Sequence, residues 1–240
     1  MVNSKVVFVV AHPDDESLWV GGLLNFLQKC KGVTPYVVCM TGRDHPLRFK
    51  EFTNAMDVVG VDNWVVGDMP IPSKGGIPLS SIEDVFNKAL GELELKSSDI
   101  DLLVTHSFYG DEHEHLQHTQ LFHHFFNSEL PFAFFSSLTL PLLMVCKLRT
   151  MKREHNTHLI NEAEIANFNL ATHYLQFKVD EEVKRKMLNQ YASIGIQQHK
   201  EGYAAWDSYV EGLYFKDSNS FKTLKAIIDY MPSPGGPRNI

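Results

Sequence analysis

The chain has 240 residues, 44% of them hydrophobic and 21% charged, with 15 glycines and 11 prolines. That is enough to bury a full core, and the composition lacks the bias of a disordered or fibrous protein. A net charge of −7 argues against a polyanion such as nucleic acid as the main partner. The cysteines Cys30, Cys39 and Cys146 are odd in number and widely spaced, so neither a disulfide framework nor a thiolate zinc knuckle is expected, only buried reduced thiols. The run VVFVVA, with one lysine before it and no cleavage site after it, reads as a first strand and not as a signal peptide. The most apolar stretch, Pro131 to Val145, is too short and too interrupted by Ser136, Ser137, Thr139 and Pro141 for a membrane span, which needs about 20 residues. A cytoplasmic protein is expected, with homo-oligomerisation left open.

In chain order, Lys5–Ala11 is a continuous β-branched run suited to a strand covered on both faces. Leu23, Leu24 and Leu27 predict a helix over Gly21–Lys31, ending at Gly32. Pro35–Met40 is a second strand, Leu47–Val59 an amphipathic helix stopped near Gly60, and Trp64–Val66 a third strand. Ser80 or Ser81 is placed to cap a helix through Leu95. Asp101–Thr105 is a fourth strand, and His115–Phe126 a helix with Leu116, Thr119 and Phe122 at helical spacing. The stretch 131–145 reads as two buried strands, or a strand and a tight bend. Asp180 is expected to cap a helix running to about Ser193, with Glu181 and Glu182 at its positive end. The tail 231–239 reads as a loose terminus.

Alternating β and α units predict an α/β fold: one domain over residues 1–240, doubly wound, with a mostly parallel sheet and helices on both faces. In such sheets the site lies beyond the carboxyl ends of the strands. That rule selects Ala11–Trp19 and His106–His118, where the chemistry-bearing residues gather.

His12, Asp14, Asp15 and Glu16 put one imidazole and three carboxylates at a strand exit, and adjacent acids repel unless a cation sits among them. Pro13 stiffens the turn. His12 and Asp15 are three apart and can turn toward one point, with Asp14 beside them; the plainer alternative is that Asp14 or Asp15 merely caps a helix. Five of the twelve histidines lie between His113 and His124. His115 and His118 share one face of a helix start, with His113 and His106 also in reach. Histidines plus a carboxylate, with coordination positions left open, are what metal catalysis requires. His123 and His124, set among phenylalanines, read as one partly buried and one solvated residue.

AHPDDESLWVGGLLNFLQKCKGVTPYVVCMTGRD, the Arg48-Phe-Lys-Glu51…Ala55…Gly60-Val61 helix, His115-Leu-Gln-His118 and VDEEVKRKMLNQYAS (179–193) together resemble the PIG-L/LmbE-like de-N-acetylases. The resemblance spans most of the chain. It implies a Rossmann-like, LmbE-like fold and a zinc-dependent N-deacetylase, with another divalent metal also compatible. Its substrate would be an N-acylated amino sugar, such as an N-acetylglucosamine compound, or a glycoconjugate. The implied metal ligands are His12, Asp15 and His118; Asp14 is the implied general base, His115 the oxyanion and leaving-group partner, and Arg48 a substrate contact. Gln117 departs from the family pattern, which carries an aspartate there that tunes the neighbouring His115. The chemistry agrees, because a divalent ion polarises an amide and acidifies water.

Two other readings compete. His12-x-Asp14 with His118 also makes the triad of an iron oxygenase, but that triad belongs to an all-β barrel. A non-catalytic doubly wound ligand-binding domain would want a Gly-rich phosphate loop, and Gly21-Gly22, lying after the acids, does not make one. Arg43 and Arg48 hint at an anionic group on the substrate.

Overall fold

The computed structural model describes residues 3–70, 77–108, 115–135, 171–193 and 210–229. Its strands are β1 (Ser4–Val10), β2 (Val33–Cys39), β3 (Trp64–Val66), β4 (Leu102–Thr105), β5 (Phe132–Phe135), β6 (His173–Lys178) and β7 (Val210–Phe215). They form one seven-stranded sheet in the order β3-β2-β1-β4-β5-β7-β6. β1 to β5 pair in parallel; β7 and β6 close one edge antiparallel. The expected α/β fold with a mostly parallel sheet is therefore present.

The helices are α1 (Asp15–Trp19), α2 (Gly21–Gln28), α3 (Pro46–Val59), α4 (Leu79–Glu92), α5 (Leu116–Phe126), α6 (Glu181–Leu188) and α7 (Ser218–Asp229). Side chains alternate across a strand, so a fully buried strand feeds two cores. Val6, Phe8 and Val10 of β1 pack with Leu18, Leu24, Phe52, Met187 and Leu224, from α1, α2, α3, α6 and α7. Val7, Val9 and Ala11 pack on the opposite face with Ile82 and Phe86 of α4 and Leu121 and Phe125 of α5.

Several boundaries follow the local chemistry, and some depart from the reading above. Gly60, at φ 73°, ends α3 in the left-handed conformation, and Asp180 caps α6 by accepting from the Glu182 and Val183 amides. α2 stops at Gln28, ahead of Gly32, whose φ of 82° serves the turn into β2 instead. α4 begins at Leu79 behind Pro78, which puts Ser80 and Ser81 inside the helix and not at its cap. α6 ends at Leu188, short of Ser193. Of the stretch 131–145, Phe132–Phe135 is a buried strand, and 136–145 lies outside the described residues, as does the tail 231–239. Cys30 and Cys39 are buried free thiols; Cys146 is outside the described residues. Among the described residues no helix is long and apolar enough to cross a membrane.

Parallel strands leave in one direction, and the order 3-2-1-4 makes β1 and β4 neighbours whose connections run to opposite sides. The crevice between their carboxyl ends is the switch point where α/β sheets bind ligands. Side chains continue the ladder past the strand ends there: Thr41 Oγ1 donates to the Ala11 carbonyl at 2.8 Å and Thr105 Oγ1 to Val9 at 2.7 Å.

Residues 179–193 and Glu211 lock onto this region. Glu211 accepts the Gly22 and Leu23 amides, at 2.9 and 2.7 Å, at the α2 N-terminus, where a carboxylate also meets the helix dipole. Lys184 pairs with the same carboxylate at 3.0 Å, both side chains being buried. Breaking such a pair from one side costs about 3–5 kcal/mol. Gly22 is the contact point: a Cβ there would lie 2.2 Å from Val179 Cβ. The Gly21-Gly22 pair thus admits a close approach of chain to chain. Gly22→Ala should cost at least ~1–3 kcal/mol, or roughly 2–4 °C of Tm for each kcal/mol in a chain of this size. Gly91→Ala, with open space around its Cβ, should leave Tm unchanged or slightly raised. Equal melting temperatures for Gly22→Ala and wild type would contradict the tight contact.

Candidate metal and catalytic site

The turn after β1 carries the first half of the site. Asp14 has φ 128° and ψ −30°, a conformation that a residue with a Cβ rarely adopts and that costs on the order of 1–3 kcal/mol. It is held from both sides. The Asp14 carbonyl accepts the Ser17 and Leu18 amides at 3.0 and 2.9 Å, and its own N–H donates to Glu16 Oε2 at 3.1 Å. Asp14 occupies the N-cap position of α1, yet its side chain makes no capping bond. The plain helix-cap reading therefore fails, and the carboxylate lines a cavity of about 520 Å³. Gly42 supports the turn from outside: at φ 103°, it packs where a Cβ would come within 2.7 Å of Pro13 Cγ.

Glu16 is fully buried and anchors the turn. It accepts from Tyr191 Oη at 2.6 Å and Ser17 Oγ at 2.5 Å. Burial pushes its carboxyl up to about 7, against the pull of those hydrogen bonds. Asp14 is pushed well above the usual carboxylate range, by desolvation first and then by the charges of Asp15 and Glu16, while Arg48 pulls the other way. Desolvation acts on Asp15 in the same sense, but His118, and hydrogen bonds from His118 and His12, hold its carboxyl well below the usual range.

The second half comes from the start of α5. His118 Nε2 lies 3.1 Å from His12 Nδ1 and 3.3 Å from Asp15 Oδ2, and His12 Nδ1 lies 3.4 Å from the same oxygen. A tetrahedral ion with arms of about 2.0–2.1 Å has donor-to-donor edges of roughly 3.3–3.4 Å. Three lone-pair donors at that spacing repel one another unless a proton or a cation lies between them. The set fits a divalent metal.

His106, a further histidine in reach, is fully buried, with Nε2 3.5 Å from Asp15 Oδ2. That nitrogen accepts the Ala11 amide at 3.0 Å, so its lone pair is engaged. The ring stacks on His118 at 3.8 Å and forms the back wall of the site. His115, the exposed N-cap residue of α5, stacks on the other side of His118 at 4.4 Å and lines the cavity. His113, Asp111, Glu112 and Glu114 lie outside the described residues.

Arg48 also lines the cavity. Arg43 is committed elsewhere, to Glu92 and the Val66 carbonyl, each at 2.6 Å, so the two arginines part company. His45, which composition alone does not single out, lines the same cavity and opens α3, its Nδ1 accepting the Arg48 amide at 3.4 Å. Its signal was the following Pro46, a helix-start residue that places His45 at the N-cap.

The architecture is that of a doubly wound α/β protein with His12, Asp15 and His118 gathered at the switch point. The PIG-L family, described as GlcNAc-PI de-N-acetylase, matches residues 7–127, just over half of the chain, and the chain belongs to that family. No curated protein sequence matches it. Among solved structures, it is similar to the zinc-inhibited form of teicoplanin deacetylase Orf2, at 12% identity and a TM-score of 0.56, covering 88% of this chain and 97% of that one. It is also similar to a triple mutant of a deacetylase of the teicoplanin biosynthetic pathway, at 14% identity, TM-score 0.54 and the same coverage. These likenesses establish a shared LmbE-like fold, and nothing of the all-β scaffold expected for an iron oxygenase is present among the described residues.

The Tyr191–Glu16–Asp14 chain of contacts is directly testable. Tyr191→Phe removes a buried hydroxyl donor to a carboxylate, worth about 1.5–3 kcal/mol. The urea midpoint should fall with m unchanged. An unaltered midpoint would show that Glu16 does not depend on this hydroxyl.

Proposed function

We propose that the chain is a zinc-dependent N-deacetylase, a single catalytic domain that hydrolyses the acetyl amide of an amino sugar or a related small glycoconjugate. The observation that carries this reading is the triangle of His12 Nδ1, Asp15 Oδ2 and His118 Nε2, with edges of 3.1–3.4 Å, set beside the uncapped carboxylate of Asp14. Membership of a de-N-acetylase family points the same way. The cavity of about 520 Å³ is of ligand-binding size and takes a sugar ring.

In this reading His12, Asp15 and His118 hold the ion, which supplies Lewis acidity for the amide carbonyl and lowers the pKa of water toward about 7. Asp14 takes the proton from the attacking water. Its strained backbone keeps the carboxylate turned to the cavity instead of onto the helix end, the placement a base needs. His115 stabilises the developing oxyanion and delivers a proton to the departing amine. It lines the cavity outside the triangle and lies ring-to-ring with both His12 and His118, at 4.6 and 4.4 Å. Arg48 and His45, which line the same cavity, contact substrate.

Elemental analysis should find about one divalent ion per chain, lost in His12→Ala, Asp15→Ala and His118→Ala. Asp14→Asn should keep the ion and the fold, and lose about 10²–10⁴-fold in the rate of acetate release from N-acetyl amino sugars. A metal-free Asp14→Asn would instead make Asp14 a ligand. Full metal in His118→Ala would refute the triangle.

A further inference from the structure

A neutral imidazole has one proton and one ring lone pair, and a histidine ligates only through the nitrogen that lacks the proton. His12 points Nδ1 at Asp15 Oδ2 and His118 Nε2. Its other nitrogen, Nε2, meets the side-chain oxygen of Gln117 in a short hydrogen bond. Gln117 is 7% exposed and stands next to His118 in the first turn of α5. One helix turn therefore reaches His12 twice, with His118 at its front and Gln117 at its back. His12 is tied at its backbone too, its N–H donating to Asp15 Oδ2 at 2.8 Å.

We propose that Gln117 is a positioning residue for the metal centre: its amide oxygen holds the His12 proton on Nε2 and so keeps the Nδ1 lone pair directed at the ion. The inference rests on the reading of His12 as a ligand. Partners of this kind normally fix the tautomer and raise the basicity of a ligating histidine, and many are carboxylates. An amide oxygen fixes the tautomer without adding charge. It leaves His12 a weaker electron donor than a carboxylate partner would, and the ion more electrophilic and less tightly held. In the family pattern the acid at this position acts on the neighbouring His115; here the side chain reaches across to the strand-exit histidine.

The test is zinc affinity of the full chain at about pH 7.5, by competition with a chromophoric chelator, for wild type, Gln117→Leu and Gln117→Glu. Leucine is close in size and removes the acceptor, so zinc should bind about 10–100-fold more weakly, at unchanged stoichiometry. Glutamate restores the acceptor and adds charge, so it should bind at least as tightly as wild type. Gln117→Leu with wild-type affinity overturns the proposal, as does Gln117→Glu binding more weakly than wild type. The glutamate arm decides the matter alone if the leucine variant fails to fold. A wild-type chain that takes up no zinc removes the metal reading itself, an outcome distinct from one zinc bound with equal affinity in all three proteins.

Discussion

Three lone pairs converge where β1 and β4 end, and that convergence is unfavourable unless positive charge lies among them. Much of the surrounding structure keeps them converged. Pro13, pressed by Gly42, stiffens the turn that brings His12 and Asp15 to one point. The His12 N–H closes that turn onto Asp15. His106 backs His118, its own lone pair spent on Ala11, so it supports the cluster without entering it. The result is a rigid cradle built on strand ends and helix starts, which holds geometry better than free loops do.

Three consecutive acids in one turn meet three different fates. Asp15 lies among imidazoles and is held ionised; Asp14 lies in the cavity wall with two acids beside it, and holds its proton more readily despite the pull of Arg48. Glu16, sealed beneath them, serves the backbone. Environments of this kind push neighbouring carboxyls apart in proton affinity, so one residue type serves different ends within a single turn.

Much of this was legible in the sequence, for physical reasons. The β-branched run at Lys5–Ala11 is the signature of a strand buried on both faces, Gly60 marks a left-handed helix stop, and Asp180 is a cap with two acids behind it. Metal-type residues placed at two strand exits led to the crevice because a parallel sheet sends those exits one way. What stayed hidden depended on distant partners. The antiparallel edge needs β5 to meet β7 across residues 132–135 and 210–215, a pairing with no local pattern. Gly21-Gly22, which makes no phosphate loop, shows no purpose in the sequence until Val179 is set against it. Gln117 belongs to a contact with a histidine 105 residues away, which spacing within one helix could not reveal. Arg43 and Arg48 look equivalent in the chain, and only the fold gives one of them to Glu92.

The residues that line the crevice and those that seat them are unequally distributed along the chain. His12, Asp14, Asp15, Arg48, His115, Gln117 and His118 all lie in the first half. The groups that brace them come much later: Val179 against α2, Lys184 and Glu211 at its N-terminus, Tyr191 on Glu16, and Ser193, whose amide donates to Glu51 at 2.7 Å. During synthesis from the amino end, the ribosome releases the chemical groups well before their supports. A nascent chain arrested after α5 would carry Glu16 and Glu51 without their hydroxyl partners and α2 without its capping carboxylate. The crevice therefore gains its braces only once residue 211 has been made, and a fragment containing every side chain that lines it would still lack the parts that hold them in place.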